Sequence, residues 1–360
     1  MTTRGGTLTT ARPRVGRLGS VRDRPVLLVG LGFVALLVAL VLGVGVGSVT
    51  IDPADTIAIL AHRFLGLDIP QTWTDATETI VVELRLPRIL TAMLVGCALA
   101  VAGATFQGLL RNPLADPYVL GTASGAALGA AIAVLIPVRF VILEFGLIQG
   151  LAFIGALASI TVVYKLSRNS GLAPLTSLLL TGYAVGSLLA AALAMAMYLS
   201  GAALRQIFTY LLGSFDAATW PRFLATLPII LIASIAIMLR ARSLNGLLLG
   251  EQAAAHLGVD VRRERRILLA LASLVTAAAV AISGLIGFVG LVVPHVVRLL
   301  VGPSARLVLP LSAIGGAALL AYADIIARLA GGIPVGVVTA ILGAPFFLVI
   351  LRRARTGYEV

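Results

Sequence analysis

Nucleotide hydrolysis, metal chemistry and proton transfer each need particular side chains at particular spacings, and this sequence supplies few of them. Lys165 is the only lysine and no glycine-rich phosphate loop precedes it, so a Walker A site is missing and ATP cannot be hydrolysed by that route. His62, His256 and His295 stand far apart, and the single cysteine, Cys97, lies inside an apolar run. Neither a metal centre nor a disulfide framework follows from that pattern. Gly121-Thr-Ala-Ser124-Gly125 offers a serine without a base, and packing of small residues accounts for it better. Carboxylates avoid the apolar runs, except at edges such as Glu144 and Asp324. An ion-coupled carrier usually keeps one in mid-membrane, at a cost of roughly 2.5–3.5 kcal/mol. The expectation is no catalytic residue, no metal and no cofactor.

The elements that carry the remaining polar residues are set by composition. Of 360 residues, 59% are hydrophobic and 12% charged, against about 45–50% and about 25% in an ordinary soluble domain. A water-facing surface could not be built from this, which excludes a soluble enzyme or a nucleic-acid-binding protein. The net charge of +12 is read as membrane topology before it is read as a phosphate-binding patch. Runs free of Asp, Glu, Lys and Arg cover 25–51, 89–110, 117–138, 145–164, 172–204, 223–239, 267–297, 307–323 and 329–351, and a bilayer core needs roughly 20 apolar residues per helix. In the run 267–297, Gly284, Gly287, Gly290 and Pro294 invite a break into two helices.

Arginines decide the count. Arg4, Arg12, Arg14, Arg17, Arg22 and Arg24 precede the first run, and Arg352, Arg353 and Arg355 follow the last. Basic flanks stay in the cytoplasm, so both termini lie inside and the number of spans is even. The prediction is an all-α integral membrane protein with ten transmembrane helices, N-in and C-in, at about 26–47, 88–110, 117–137, 145–164, 174–199, 223–240, 267–284, 286–300, 307–323 and 333–351. Twenty of the 27 Lys and Arg are then cytoplasmic. Residues 1–25 form an Arg-rich cytoplasmic tail, 26–353 a single transmembrane domain and 354–360 a second cytoplasmic tail.

Two loops promise more than connection. The external segment 48–87 is acidic, with Asp52-Pro53 starting a short helix that Gly66 ends. In the cytoplasmic segment 241–266, Asn245-Gly246 marks a turn, Glu251–Leu257 reads as a short helix ended by Gly258, and Asp260 caps a second helix carrying Arg262–Arg266 into the next span. Ala253, Ala254, Ala255 and Leu257 give this pair a small apolar face, suited either to another protein or to anionic headgroups. A weak echo between Arg88-Ile-Leu…Gly103 and Arg266-Ile-Leu…Gly284 suggests an inverted repeat of spans 2–5 and 7–10. A polytopic chain with no engine of its own and a cytoplasmic helix pair fits an engine supplied in trans.

Several motifs resemble one family: Leu84-Arg-Leu-Pro-Arg88-Ile-Leu, Gly103-Ala-Thr-Phe-Gln107, Arg111-Asn-Pro-Leu-Ala-Asp-Pro117-Tyr-Val-Leu-Gly121, Gly250-Glu251-Gln…Leu257-Gly258, Ser283-Gly-Leu-Ile-Gly-Phe-Val-Gly-Leu-Val-Val-Pro294-His295 and Ile333-Pro-Val-Gly336…Gly343-Ala-Pro345. In order, from about 26 to 353, they resemble the FecCD/BtuC-type permeases of iron-chelate (siderophore), haem and cobalamin ABC importers. The resemblance implies a type II ABC importer architecture in the cytoplasmic (inner) membrane of a bacterium. Its implied partners are two ABC ATPase subunits, a second permease subunit in a homo- or heterodimer, and an extracytoplasmic substrate-binding protein, with lipid around and no nucleic acid. An iron(III)-siderophore complex is the first cargo it suggests, with haem or cobalamin as alternatives. It makes 250–266 the coupling helices, with Glu251, Ala254, Leu257 and Gly258 towards the ATPase. Arg85, Arg88 and Arg328 become docking residues for the binding protein, and Asn112 and Ser170 fall in the cytoplasmic gate loops. The long fifth span and a short helix at about 205–213 would line the path.

Overall fold

The structure, a computed structural model, describes residues 25–47, 51–136, 141–142, 145–167 and 175–356. Helices α1 (Pro25–Gly45), α3 (Asp75–Leu109), α5 (Leu147–Ser167), α6 (Leu175–Leu199), α8 (Trp220–Leu239), α11 (Val261–Ser283) and α13 (Ala305–Leu329) are long and apolar enough to cross a membrane. Three shorter apolar stretches accompany them: α4 (Thr122–Leu135), α12 (Val289–Val301) and residues Val335–Val349 of α14 (Val335–Thr356). Four helices are peripheral or short: α2 (Pro53–Leu65), α7 (Leu204–Leu212), α9 (Ala241–Leu248) and α10 (Glu251–His256). Strand pairing among the described residues is confined to the two-residue hairpin Val141–Ile142 with Phe145–Gly146.

Several boundaries differ from expectation, among them the start of α4 at Thr122 rather than 117 and the end of α14 at Thr356 rather than 351; two differences have a clear cause. The external loop was expected to reach residue 87, yet α3 starts at Asp75, capped by the Thr74 hydroxyl, and runs through a π-helical stretch, Ile80–Arg85. That wider turn carries the helix past Pro87, which has no N–H to give. Its cause is packing: Val81, Val82 and Arg85 are buried, while Glu83 and Leu84 between them stay exposed. The second difference is Asn245-Gly246, which lies inside α9 rather than in a turn. Asn245 Oδ1 accepts from the backbone N–H of Ala305 at 2.7 Å, so the side chain caps the start of α13. A tertiary bond has overridden a local turn preference.

Other expectations hold. Asp52 caps α2 and Gly66 ends it with a left-handed φ of 65°. Asp260 caps α11, and the run 267–297 is broken between Ser283 and Val289. The core lies where α3, α11, α12 and α13 meet, with their middle residues almost wholly buried. Small residues permit this approach: a Cβ on Gly103 would stand 1.8 Å from the carbonyl oxygen of Gly290, and one on Gly96 would stand 2.1 Å from that of Gly316. By contrast, α6 leaves most of its apolar surface uncovered, with Tyr183 78% and Tyr198 85% exposed.

Side-chain bonds sort the helix ends onto two faces. On the first, Arg85 of α3 holds the end of α1, Arg328 ends α13, Trp220 of α8 donates to the Val82 carbonyl, and Tyr210 of α7 reaches the end of α11. On the second, Arg298 of α12 reaches Ala104 in α3, Asn245 holds the start of α13, and Glu251 meets Arg265 at the start of α11.

Candidate functional site

On the first face, the π-helical turn and the last turn of α13 bring Arg85, Arg88 and Arg328 together. Asp324, one turn before Arg328 and wholly buried, sits between two of them. Arg88 Nε donates to Asp324 Oδ1 at 3.0 Å and its Nη2 to the same oxygen at 2.9 Å, while Nη1 reaches Asp216 Oδ1 at 2.6 Å. Arg328 Nε lies 3.1 Å from Asp324 Oδ2, and its Nη1 donates to the Val46 carbonyl at 2.7 Å. Arg85 Nη1 donates to the carbonyls of Val44 and Gly45, at 2.8 and 2.7 Å. Arg88 and Arg328 thus share the buried Asp324, Arg88 also takes the 66% exposed Asp216, and Arg85 is held by backbone carbonyls beside them. Burial pushes the Asp216 carboxyl up, but Ser214 and Arg88 outweigh it and hold it below the ordinary carboxylate value. All three arginines have partners within the chain.

Beside this cluster the short helix α7 ends in a glycine knot. Gly213 and Gly284 adopt φ of 69° and 68°, and a Cβ on Gly284 would stand 2.1 Å from the Tyr210 carbonyl. Only glycine gives both the backbone angle and the room. Ser214 N donates to the Ser283 carbonyl at 2.9 Å, and the Tyr210 hydroxyl donates to the Val280 carbonyl at 2.9 Å. A cavity of about 250 Å³ opens next to α7, with Gln149, Gln206, Ser214 and Asp216 among its lining residues.

On the second face, α10 stands as a single short helix between α9 and α11. Gly250 (φ 112°) and Gly258 (φ 79°) bend the chain at its two ends. Arg265 Nη1 donates to Glu251 Oε1 at 3.1 Å, tying α10 to the first turn and a half of α11. Leu257 is 66% exposed and Leu249 69%, so two apolar knobs flank α10. Ala254 corrects the expectation of a shared apolar face: it is wholly buried, towards Gly246. Asn112 folds into its own loop, its Oδ1 accepting from the backbone N–H of Leu114 at 2.9 Å. Ser170, like Glu144, lies outside the described residues.

A buried polar contact missed by the sequence reading links the core to this face. Pro294 has no N–H, so the Gly290 carbonyl loses its helical partner. Gln107 Nε2 reaches that carbonyl at 3.4 Å and the Leu291 carbonyl at 3.1 Å, while its Oε1 accepts from Arg298. A glutamine in an otherwise apolar helix and a proline in another were the available signals. For Asp324 the signal was its i,i+4 spacing to Arg328.

A bundle of long apolar helices brought together by small-residue contacts, with a short helix exposed on one face, is the architecture of a polytopic membrane protein. The chain belongs to the FecCD transport family, whose model matches residues 35–353. It is 46% identical to the cobalamin import system permease protein BtuC of Halobacterium salinarum, over 83% of this chain and 79% of that one. It is 43% identical to the hemin transport system permease protein HmuU of Yersinia pestis, over 81% of this chain and 90% of that one. Among solved structures, a metal-chelate type ABC transporter in an inward-facing conformation superposes with a TM-score of 0.77 at 31% identity, covering 91% of this chain and 99% of that one. These relatives are transport components of ABC importers, and the chain is a multi-pass membrane permease of that kind.

Proposed function

We propose that the chain is the membrane subunit through which an ABC importer brings a cobalamin-class metal chelate across the cytoplasmic membrane. The observation that carries this reading is α10: a helix of six residues, pinned by Glu251–Arg265 and offering Leu249 and Leu257 to a partner. It suits a surface that a separate ATPase grips, with Glu251, Leu257 and Gly258 at the contact and Ala254 packing behind it. Closure of the ATPase dimer would then bias two arrangements of the bundle. Cobalamin comes first because the relative at 46% identity carries that cargo in its name, with hemin, named by the relative at 43%, next. The iron(III)-siderophore expectation rests on the family resemblance alone.

The seven long and three shorter apolar helices support ten crossings, and the terminal arginines support N-in, C-in. The first face then looks outward, and the cluster of Arg85, Arg88 and Arg328 is where an acidic external binding protein would dock. Because Arg88 and Arg328 already hold Asp324 and Arg85 holds the carbonyls at the end of α1, docking draws on the net charge of the cluster rather than on free side chains. The uncovered face of α6 is proposed to meet the second permease subunit.

Reconstitution tests this. Liposomes holding the chain with its ATPase and receptor should take up cobalamin with ATP, and a Glu251→Lys chain should insert but not transport. Uptake driven by an ion gradient without ATP would refute the importer reading, and preference for haem or a ferric siderophore would replace the cargo.

A further inference from the structure

Between α5 and α11, towards the second face, lies a groove of about 310 Å³ that shares no lining residue with the sites described above. Its floor is apolar and buried, formed by Ile160 and Leu269, and Ala270 stands exposed at its side. Arg266 closes the end nearest the second face, its Nε held by the Arg262 carbonyl at 3.3 Å. Arg262 and Arg263, one turn before Arg266, and Lys165, next to the lining Tyr164 in the chain, are exposed. The carboxylates nearby are engaged elsewhere: Glu264 with Arg240, Glu251 with Arg265, and Asp260 as the cap of α11. No described carboxylate pairs with the four cations at the rim.

An apolar slot that begins where a helix enters the membrane, with uncompensated positive charge at its mouth, matches one kind of molecule. We infer that this groove is a binding site for an anionic phospholipid of the adjacent leaflet, one acyl chain in the slot and the phosphate on Arg262 and Arg266. A zwitterionic lipid would bring its own cation to the same rim, and free phosphate would gain nothing from the slot. Basic pockets between helices at the cytoplasmic boundary bind acidic headgroups for this reason. The inference rests on the membrane-embedded reading, with 241–266 at the cytoplasmic face.

The test uses the full chain in nanodiscs of dioleoylphosphatidylcholine doped with dioleoylphosphatidylglycerol, with retained lipid counted by native mass spectrometry. The native chain should retain phosphatidylglycerol in preference to phosphatidylcholine. Arg262→Gln/Arg266→Gln, both at exposed positions, should weaken that preference about fivefold per arginine, the equivalent of the ~1 kcal/mol each basic side chain contributes at an anionic surface. Ala270→Phe keeps every charge but fills the slot, and should abolish retention of the two-chain lipid. Equal retention of the two lipids, or an undiminished preference in the arginine variant, overturns the site. If inorganic phosphate competes fully, the slot has no part and the proposal fails. Labelling a cysteine placed at Arg263, in a Cys97→Ala background, reports the face independently. Modification from outside would sink the importer orientation while leaving lipid preference measurable.

Discussion

Asp324 and Asp216 touch the same arginine but sit in opposite surroundings, so replacing each by asparagine separates burial from contact. Asp324 is wholly buried between Arg88 and Arg328, whose side chains are 18 and 11% exposed. Asp324→Asn keeps the shape but removes the charge and turns an N–H₂ towards two guanidinium groups. Breaking a buried pair from one side costs about 3–5 kcal/mol, because the cations left behind are poorly solvated. Arg88 would still hold Asp216 and Arg328 would still hold the Val46 carbonyl, so the lower end, about 3 kcal/mol, is expected. Asp216 is 66% exposed, and an exposed pair contributes about 0–1 kcal/mol that salt screens. The assay is equilibrium unfolding of each variant in one lipid–detergent mixture, at low and high salt. Asp324→Asn should lose about 3 kcal/mol at both, and Asp216→Asn under 1 kcal/mol, vanishing at high salt. Equal losses, or a loss below about 0.5 kcal/mol for Asp324→Asn, would refute the view that this carboxylate organises Arg88 and Arg328.

Gln107→Leu leaves the Gly290 carbonyl, already without its helical partner, unpaired, and takes one of two partners from Arg298, which keeps the Ala104 carbonyl; at about 1–3 kcal/mol per unsatisfied buried group, the same unfolding assay should show a loss of about 2 kcal/mol. Gly103→Val puts a side chain on the Gly290 backbone, 1.8 Å from its oxygen at Cβ alone, and should yield no monodisperse protein on gel filtration. In the loop before the 3₁₀ turn Pro117–Leu120, burial pushes the Asp116 carboxyl up to about 6, against a backbone bond from Tyr118 that pulls it down. The folded value lies above the ordinary 3.8, so the stabilisation is full below that value and lost as pH rises through about 6. Hydrogen exchange in 110–121 should accelerate across this window relative to Asp116→Asn, and parallel profiles would remove the effect.

Much of the bundle was legible because its causes are local. Apolar runs gave the long helices, Asp52 and Asp260 announced their caps, and Gly284 marked the break in 267–297. What escaped depends on partners distant in the chain. Asn245-Gly246 reads as a turn until Ala305 arrives to use the asparagine oxygen. The acidic stretch from Asp75 reads as loop until Val81, Val82 and Arg85 find a buried surface, which lets α3 begin there. Arg85, Arg88 and Arg328 were legible as one candidate group, and the i,i+4 spacing of Asp324 to Arg328 was a local signal, but nothing local tied Asp324 and Asp216, 236 and 128 residues away, to Arg88. Ala254 misled because an alanine on a short helix suits either face equally.

Helix α11 joins the two regions that import would have to coordinate. Its 23 residues span about 35 Å, the thickness of a bilayer core with a margin. Near its cytoplasmic end under the proposed orientation, Arg265 grips Glu251 of α10. Near the other end, Val280 and Ser283 accept bonds from Tyr210 and Ser214, which hold the end of α7. Its middle is packed against α3, with Ala272, Val275, Ala279 and their neighbours almost wholly buried, so it has little freedom to bend on its own. A displacement imposed on α10 would therefore move α11 as a body, and α7 with it. The glycines at 213 and 284 keep that joint tight enough to carry such a motion, since any Cβ on Gly284 would force α7 away from the helix that moves it.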